Sequence, residues 1–128
     1  MENLIIEKTT TTPAIRFDYA SGLLELQGES YPENTAAFYA PVFEWLQNFL
    51  DNNEEQAITV NLEIIYFNSS SSKALMNLFD RLEGAAEAGR KIAVNWIYAA
   101  GNEGALEYGE EFKEDLNSLV FNLVEKNV

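Results

Sequence analysis

Side chains able to do chemistry gather in two places in this chain. The first is Tyr66-Phe67-Asn68-Ser69-Ser70-Ser71-Ser72-Lys73, which joins a strand-like run to the start of an amphipathic helix. Free amides and the positive end of the helix dipole at such a junction favour an anion. A serine hydroxyl there is open to a kinase, and a phosphate formed on it is tolerated locally. The plainer assignment is structural: serine is a favoured N-cap, so the run reads as one cap plus a polar loop. One serine suffices for a cap, which leaves the others without a structural duty.

The second place is Gly28-Glu29-Ser30-Tyr31-Pro32-Glu33-Asn34, read as a loop. It puts two carboxylates, a phenol and a stiff turn together. It suits recognition of a partner, or a carboxylate pair that holds magnesium weakly. As plain structure it is a connection from strand to helix, with a Pro turn and Asn34 as the helix N-cap. A third group, Glu103, Glu107, Glu110, Glu111, Glu114 and Asp115, crowds one helix with no special partner residue and reads as a solvated face.

Much is excluded by what the chain lacks. It has no histidine and no cysteine. Ser–His–Asp, Cys–His and zinc arrangements are therefore impossible, and disulfides with them. Carboxylate, lysine or tyrosine chemistry remains allowed, and no cofactor is expected. The formal net charge is -13. That disfavours nucleic acid, which attracts a basic footprint, and anionic membrane surfaces. It suits a partner with a basic patch.

With 128 residues, 47% of them hydrophobic, the chain is sized for one domain with a real core. No apolar run reaches the roughly 20 residues of a membrane-spanning helix. Met1–Thr12 lacks the basic start and apolar stretch of a signal peptide. A cytoplasmic location is expected.

The elements that must position the two places follow from periodicity. Leu4–Glu7 reads as an edge strand before a threonine-rich lead-in to Pro13. Ile15 and Phe17, then Leu24 and Leu26, alternate around Ala20-Ser21-Gly22 as a hairpin. Asn34 caps a helix with two adjacent apolar stripes, one of Phe38, Val42, Trp45 and Phe49, the other of Tyr39, Phe43, Leu46 and Leu50. Pro41 predicts a kink there, or a helix proper that begins near Ala40. Ala57–Phe67 is a strand, apolar on both faces at Ile64-Ile65-Tyr66-Phe67 as a central strand should be. Leu75, Leu78, Phe79 and Leu82 define a second helix that stops at Gly89. Lys91–Tyr98 is a strand, Ala105–Leu116 a helix and Leu119–Val124 a final strand. The fold class is α/β, a mixed β-sheet with helices in the order β-β-α-β-α-β-α-β. Ile58, Val60, Leu62, Ile64, Leu78, Phe79, Trp45 and Trp96 are assigned to the core.

These residues resemble a known family. Thr12-Pro13-Ala14-Ile15, the Gly28–Asn34 stretch, Tyr66–Ser71 with Ala74-Leu75-Met76 and Phe79-Asp80, Gly89-Arg90 through Trp96 to Tyr98, and Glu110–Asp115 look like the SiaC regulatory phosphoproteins. The resemblance spans nearly the whole chain and implies a single STAS-like domain over residues 1–128. It implies a non-enzymatic protein of c-di-GMP signalling. The unphosphorylated form would bind and activate a diguanylate cyclase, promoting biofilm formation. A serine/threonine kinase would switch it off and a PP2C-type phosphatase would restore it.

The family's acceptor is a threonine after Tyr-Leu-Asn, which is matched here by Ser69. Serine in place of threonine, with three more serines behind it, leaves Ser70, Ser71 and Ser72 as alternatives. Partner recognition is expected around Glu29, Ser30, Tyr31, Pro32, Glu33, Asn34 and Asn68, at one end of the sheet. The competing readings are a carboxylate-dependent enzyme using Glu29 and Glu33, and a purely structural subunit.

Overall fold

The computed structural model describes residues 1–52 and 55–127. Nine elements follow one another: β1 (Leu4–Ile6), β2 (Ala14–Asp18), β3 (Leu23–Ser30), α1 (Thr35–Asn52), β4 (Ile58–Phe67), α2 (Ser69–Glu87), β5 (Ile92–Ala99), α3 (Glu103–Glu114) and β6 (Val120–Lys126). The expected α/β class holds, with the possible edge strand now counted as β1. The strands lie side by side in chain order, β1 and β2 pairing antiparallel to their successors and β3 to β6 parallel.

Strand alternation decides which residues meet the helices. Leu24, Leu62 and Trp96 are buried on one face, with Val60 and Val94 paired in register beside them. Phe17 packs on Trp45 of α1, while Phe79 of α2 and Phe112 of α3 both pack on Trp96. All three helices therefore cover the same face. The assigned core residues Ile58, Val60, Leu62, Ile64, Leu78, Phe79, Trp45 and Trp96 are all buried. The other face is polar and carries an asparagine ladder. Asn122 donates to Asn95 at 3.0 Å, and Asn95 to Asn61 at 2.9 Å. Lys126 pairs there with Glu63 at 3.1 Å.

One-sided coverage corrects the reading of Ile64-Ile65-Tyr66-Phe67. Ile64 and Phe67 are buried, but Ile65 and Tyr66 are 60% and 53% exposed. The cause is a bulge. Gly28 pairs with Ile64, Glu29 pairs with Tyr66, and the register shifts between them so that Ile65 has no partner on β3. Gly28 takes φ +132, where a Cβ would sit 3.3 Å from the Cα of Pro13. The bulge lets β3 run on to Ser30. The expected loop therefore shrinks to Tyr31–Asn34, with Glu29 and Ser30 in the strand.

For helix α1 the late start is not observed. It begins at Thr35, not near Ala40, and contains Pro41. Asn34 caps it as expected, accepting from the amide of Ala37 at 3.0 Å. Pro41 lies on the exposed side, where the carbonyl it leaves without a donor can meet water. Helix α2 stops as expected, with the amides of Gly89 and Arg90 donating to the carbonyls of Ala86 and Ala85.

Helix α3 approaches β5 closely through Gly109. A Cβ there would meet Trp96 Cδ1 at 2.5 Å and Leu123 Cδ2 at 2.7 Å. Alanine favours a helix over glycine by up to about 1 kcal/mol. Overpacking costs about 1–3 kcal/mol, and Trp96 is held by its own bond to the Ala105 carbonyl at 2.9 Å. Gly109→Ala is expected to lower the urea midpoint in spite of the helix gain; an unchanged or raised midpoint would contradict this packing. Phe79→Ala, which empties the centre of the aromatic cluster, is expected to cost about 3–5 kcal/mol in the same measurement.

Candidate functional site

The two places singled out in the sequence meet at the end of the sheet where β3 and β4 finish. The amide of Asn68 donates to the carbonyl of Ser30 at 3.1 Å, and Tyr31 packs edge-on against Tyr66 with ring centroids 5.5 Å apart.

The cap of α2 is Asn68 and not a serine. Asn68 is extended, and its Oδ1 accepts from the Ser71 amide at 2.9 Å while its carbonyl accepts from Ser72 at 2.9 Å. Asparagine and serine are both good caps. The strand delivers Asn68 to the position first, so the whole serine run becomes the opening turn of the helix. Successive helical residues point about 100° apart, so the four serines face four environments.

Ser71 faces the core and is 0% exposed. Ser30 donates to Ser71 Oγ at 2.8 Å and lies 2.7 Å from the Tyr39 hydroxyl. A buried chain of three hydroxyls thus ties β3, α1 and α2 together. Burial holds the Tyr39 phenol above its ordinary pKa and so neutral, the bond to Ser30 opposing this more weakly. Ser30, expected to meet a partner, is fully buried, and it serves here as a brace.

Ser69 and Ser70 are exposed, at the end of the helix where the first amides lack carbonyl partners within the helix. Ser70 shares an open groove with Glu33, Asn34, Phe43 and Lys73. Ser72 is half-buried and faces a cleft between α2 and α3. Of the expected recognition residues, Tyr31 and Pro32 are half-buried, Glu33 and Asn34 exposed, and Glu29 half-buried in β3. Among the described residues no group of three or more Asp or Glu side chains is placed to hold a metal.

Glu83 had no assigned role in the sequence, although it is the one charge inside the apolar stripe of α2. It is only 9% exposed and accepts three backbone amides, from Asn117 at 2.7 Å, Ser118 at 2.9 Å and Leu119 at 2.7 Å. These bonds, that of Asn117 foremost, hold its carboxyl below its ordinary value of 4.5. They pin the turn between α3 and β6 to α2.

The geometry is that of a mixed α/β domain with helices on one face of its sheet and exposed hydroxyls at the start of a capped helix. The family model of the SiaC family regulatory phosphoproteins matches residues 6–126, and the chain belongs to that family. An uncharacterised protein of Pseudomonas aeruginosa strain UCBPP-PA14 is 40% identical over 115 residues, 90% of each chain. SiaC of Pseudomonas aeruginosa superposes with a TM-score of 0.88 at 35% identity, covering 100% of both chains. A crystal structure of the diguanylate cyclase SiaD in complex with its activator SiaC, from the same organism, gives a TM-score of 0.88 at 37% identity, covering 98% of this chain and 99% of that one.

The Glu83 contacts set a pH dependence. A carboxyl with a depressed folded pKa adds stability above its unfolded value, and that stability is lost as pH falls through the folded value. Wild type should exceed Glu83→Gln in stability at neutral pH, and the gap should begin to close as pH falls past the ordinary value of 4.5 and vanish as it passes the lower folded value. Denaturant titrations across that range check it, and a gap independent of pH would remove the carboxylate from this role.

Proposed function

We propose that this chain is a phosphorylation-switched activator of a diguanylate cyclase, acting in the cytoplasm and itself no enzyme. A serine/threonine kinase modifies Ser69 and a PP2C-type phosphatase restores it. The observation that carries the reading is the exposure of Ser69 at the start of α2, on the position that matches the family's acceptor. The activation of SiaD by a close structural relative supports the choice of partner. Ser70 is the next candidate by exposure. Ser71 would need the helix to unwind before a kinase could reach its hydroxyl.

The physics favours a switch in binding over a switch in fold. A phosphate adds about -1.5 to -2 charges at neutral pH. The helix terminus offsets this by about 0.3–1 kcal/mol, and the Asn68 cap and the Ser71 brace do not involve Ser69 Oγ. Folding therefore survives. A partner that covers the helix start must bury a hydrated dianion. That costs several kcal/mol where no cation meets it, and about 1.4 kcal/mol is already tenfold in affinity. Glu33 and Lys73, both exposed in the groove beside the helix start, largely offset each other. Phosphorylation is the off state.

The test compares wild type, Ser69→Ala, Ser69→Asp and kinase-treated protein for binding to the cyclase and for stability. Wild type and Ser69→Ala should bind alike, and phosphorylated protein should bind at least about tenfold more weakly with an unchanged denaturation midpoint. Ser71→Ala should shift the midpoint instead, because it breaks the hydroxyl chain. Equal binding by the phosphorylated form would end the switch hypothesis, and labelling confined to Ser70 would move the site by one residue.

A further inference from the structure

A cleft of about 200 Å³ opens between α2 and α3. Its apolar lining is Met76, Phe79, Tyr108, Phe112 and Leu116, and its polar lining is Ser72 with the carboxylates of Asp80, Glu111 and Asp115. Among the described residues no cationic side chain lines it. Pockets for drug-sized ligands run from about 300 Å³ upwards, so this one is sized for a single long side chain. An apolar floor below a carboxylate rim fits lysine or arginine, which bury an aliphatic stem and keep the charged head at the rim.

The surface continues beyond the cleft. Tyr108 also lines a neighbouring hollow with Ile65, Tyr66 and Phe67, and Met76, Ile65, Tyr66 and Tyr108 are all exposed. A contiguous apolar strip beside a cation-shaped cleft suits a protein surface better than a free amine, which would leave the strip uncovered.

We propose that the α2–α3 cleft is the docking site for a lysine or arginine carried on an amphipathic helix of a partner protein, whose apolar face covers Met76, Tyr108, Tyr66 and Ile65. This rests on the reading of the chain as an interaction module and names the chemistry of the segment it receives. An amphipathic helix carries its apolar residues on one face and can place a cation at that face's border.

The probe is a synthetic helical peptide of leucine, alanine and arginine, set against a twin with glutamine for arginine. Both are titrated into the full chain and followed by calorimetry and NMR shifts. The arginine peptide should move resonances of Met76, Phe79 and Tyr108, and the glutamine twin should not. Asp80→Asn/Glu111→Gln/Asp115→Asn should weaken binding at least about tenfold. A control triple, Glu103→Gln/Glu107→Gln/Glu110→Gln, removes the same charge from outside the cleft and should change affinity by less than about twofold. Equal weakening by both triples would show that bulk acidity alone attracts the peptide and would overturn the proposal, as would shifts elsewhere or equal binding of the twin. Adding SiaD of Pseudomonas aeruginosa separates the two readings. Peptide binding in the cleft without SiaD binding counts against the cyclase reading and leaves the cleft standing. SiaD binding with no peptide effect at the cleft does the reverse.

Discussion

The architecture depends on one constraint. Strands β3 to β6 are parallel and lie in chain order, and each pair is joined through a helix. Such crossovers share one hand, so successive helices in an unreversed order land on the same side of the sheet. The aromatic cluster of Phe67, Phe79, Trp96, Phe112 and Phe121 forms under them. The opposite face is left to water. Parallel sheets usually hide both faces. This one instead carries Asn61, Asn95 and Asn122 in a hydrogen-bonded row, with Glu63 and Lys126 paired beside it.

The same constraint places the functional end. In a sheet of this kind, loops at the carboxyl ends of the strands open outward and helices begin there. The end of β4 is the sharpest case, because Asn68 stops the strand, caps the helix and bonds back to Ser30 in three consecutive roles. The result is a rigid cap beneath the exposed hydroxyl of Ser69. On the proposed reading a dianion at Ser69 would leave Ser71, two residues on, locked to Ser30 and through it to Tyr39. Acidity contributes at longer range. A net charge of -13 favours basic partners over acidic ones, and Glu83, one of the charges counted in it, also holds the α3–β6 turn.

Amino-acid order alone determined the element types, the helix-facing residues of β4, β5 and α2, the Asn34 cap and the stop near Gly89. Each rests on a local pattern: alternation at period two, recurrence near 3.6, or a side chain satisfying amides three residues away. The serine run and the Ser-Tyr-Pro-Glu-Asn stretch were visible in the same way, as was their place after strands. Tertiary structure decided the rest. Which of Asn68 and the serines became the cap depended on where β4 ended. That depended on the bulge at Ile65, and the bulge on pairing with Gly28, more than thirty residues away. The burial of Ser30 and Ser71, the exposure of Tyr66 and the bonds of Glu83 to Asn117–Leu119 all join residues distant in sequence. Periodicity reports which side of an element is apolar. It cannot report what stands opposite, because the partner is chosen by the register of other strands and by the face on which the helices land.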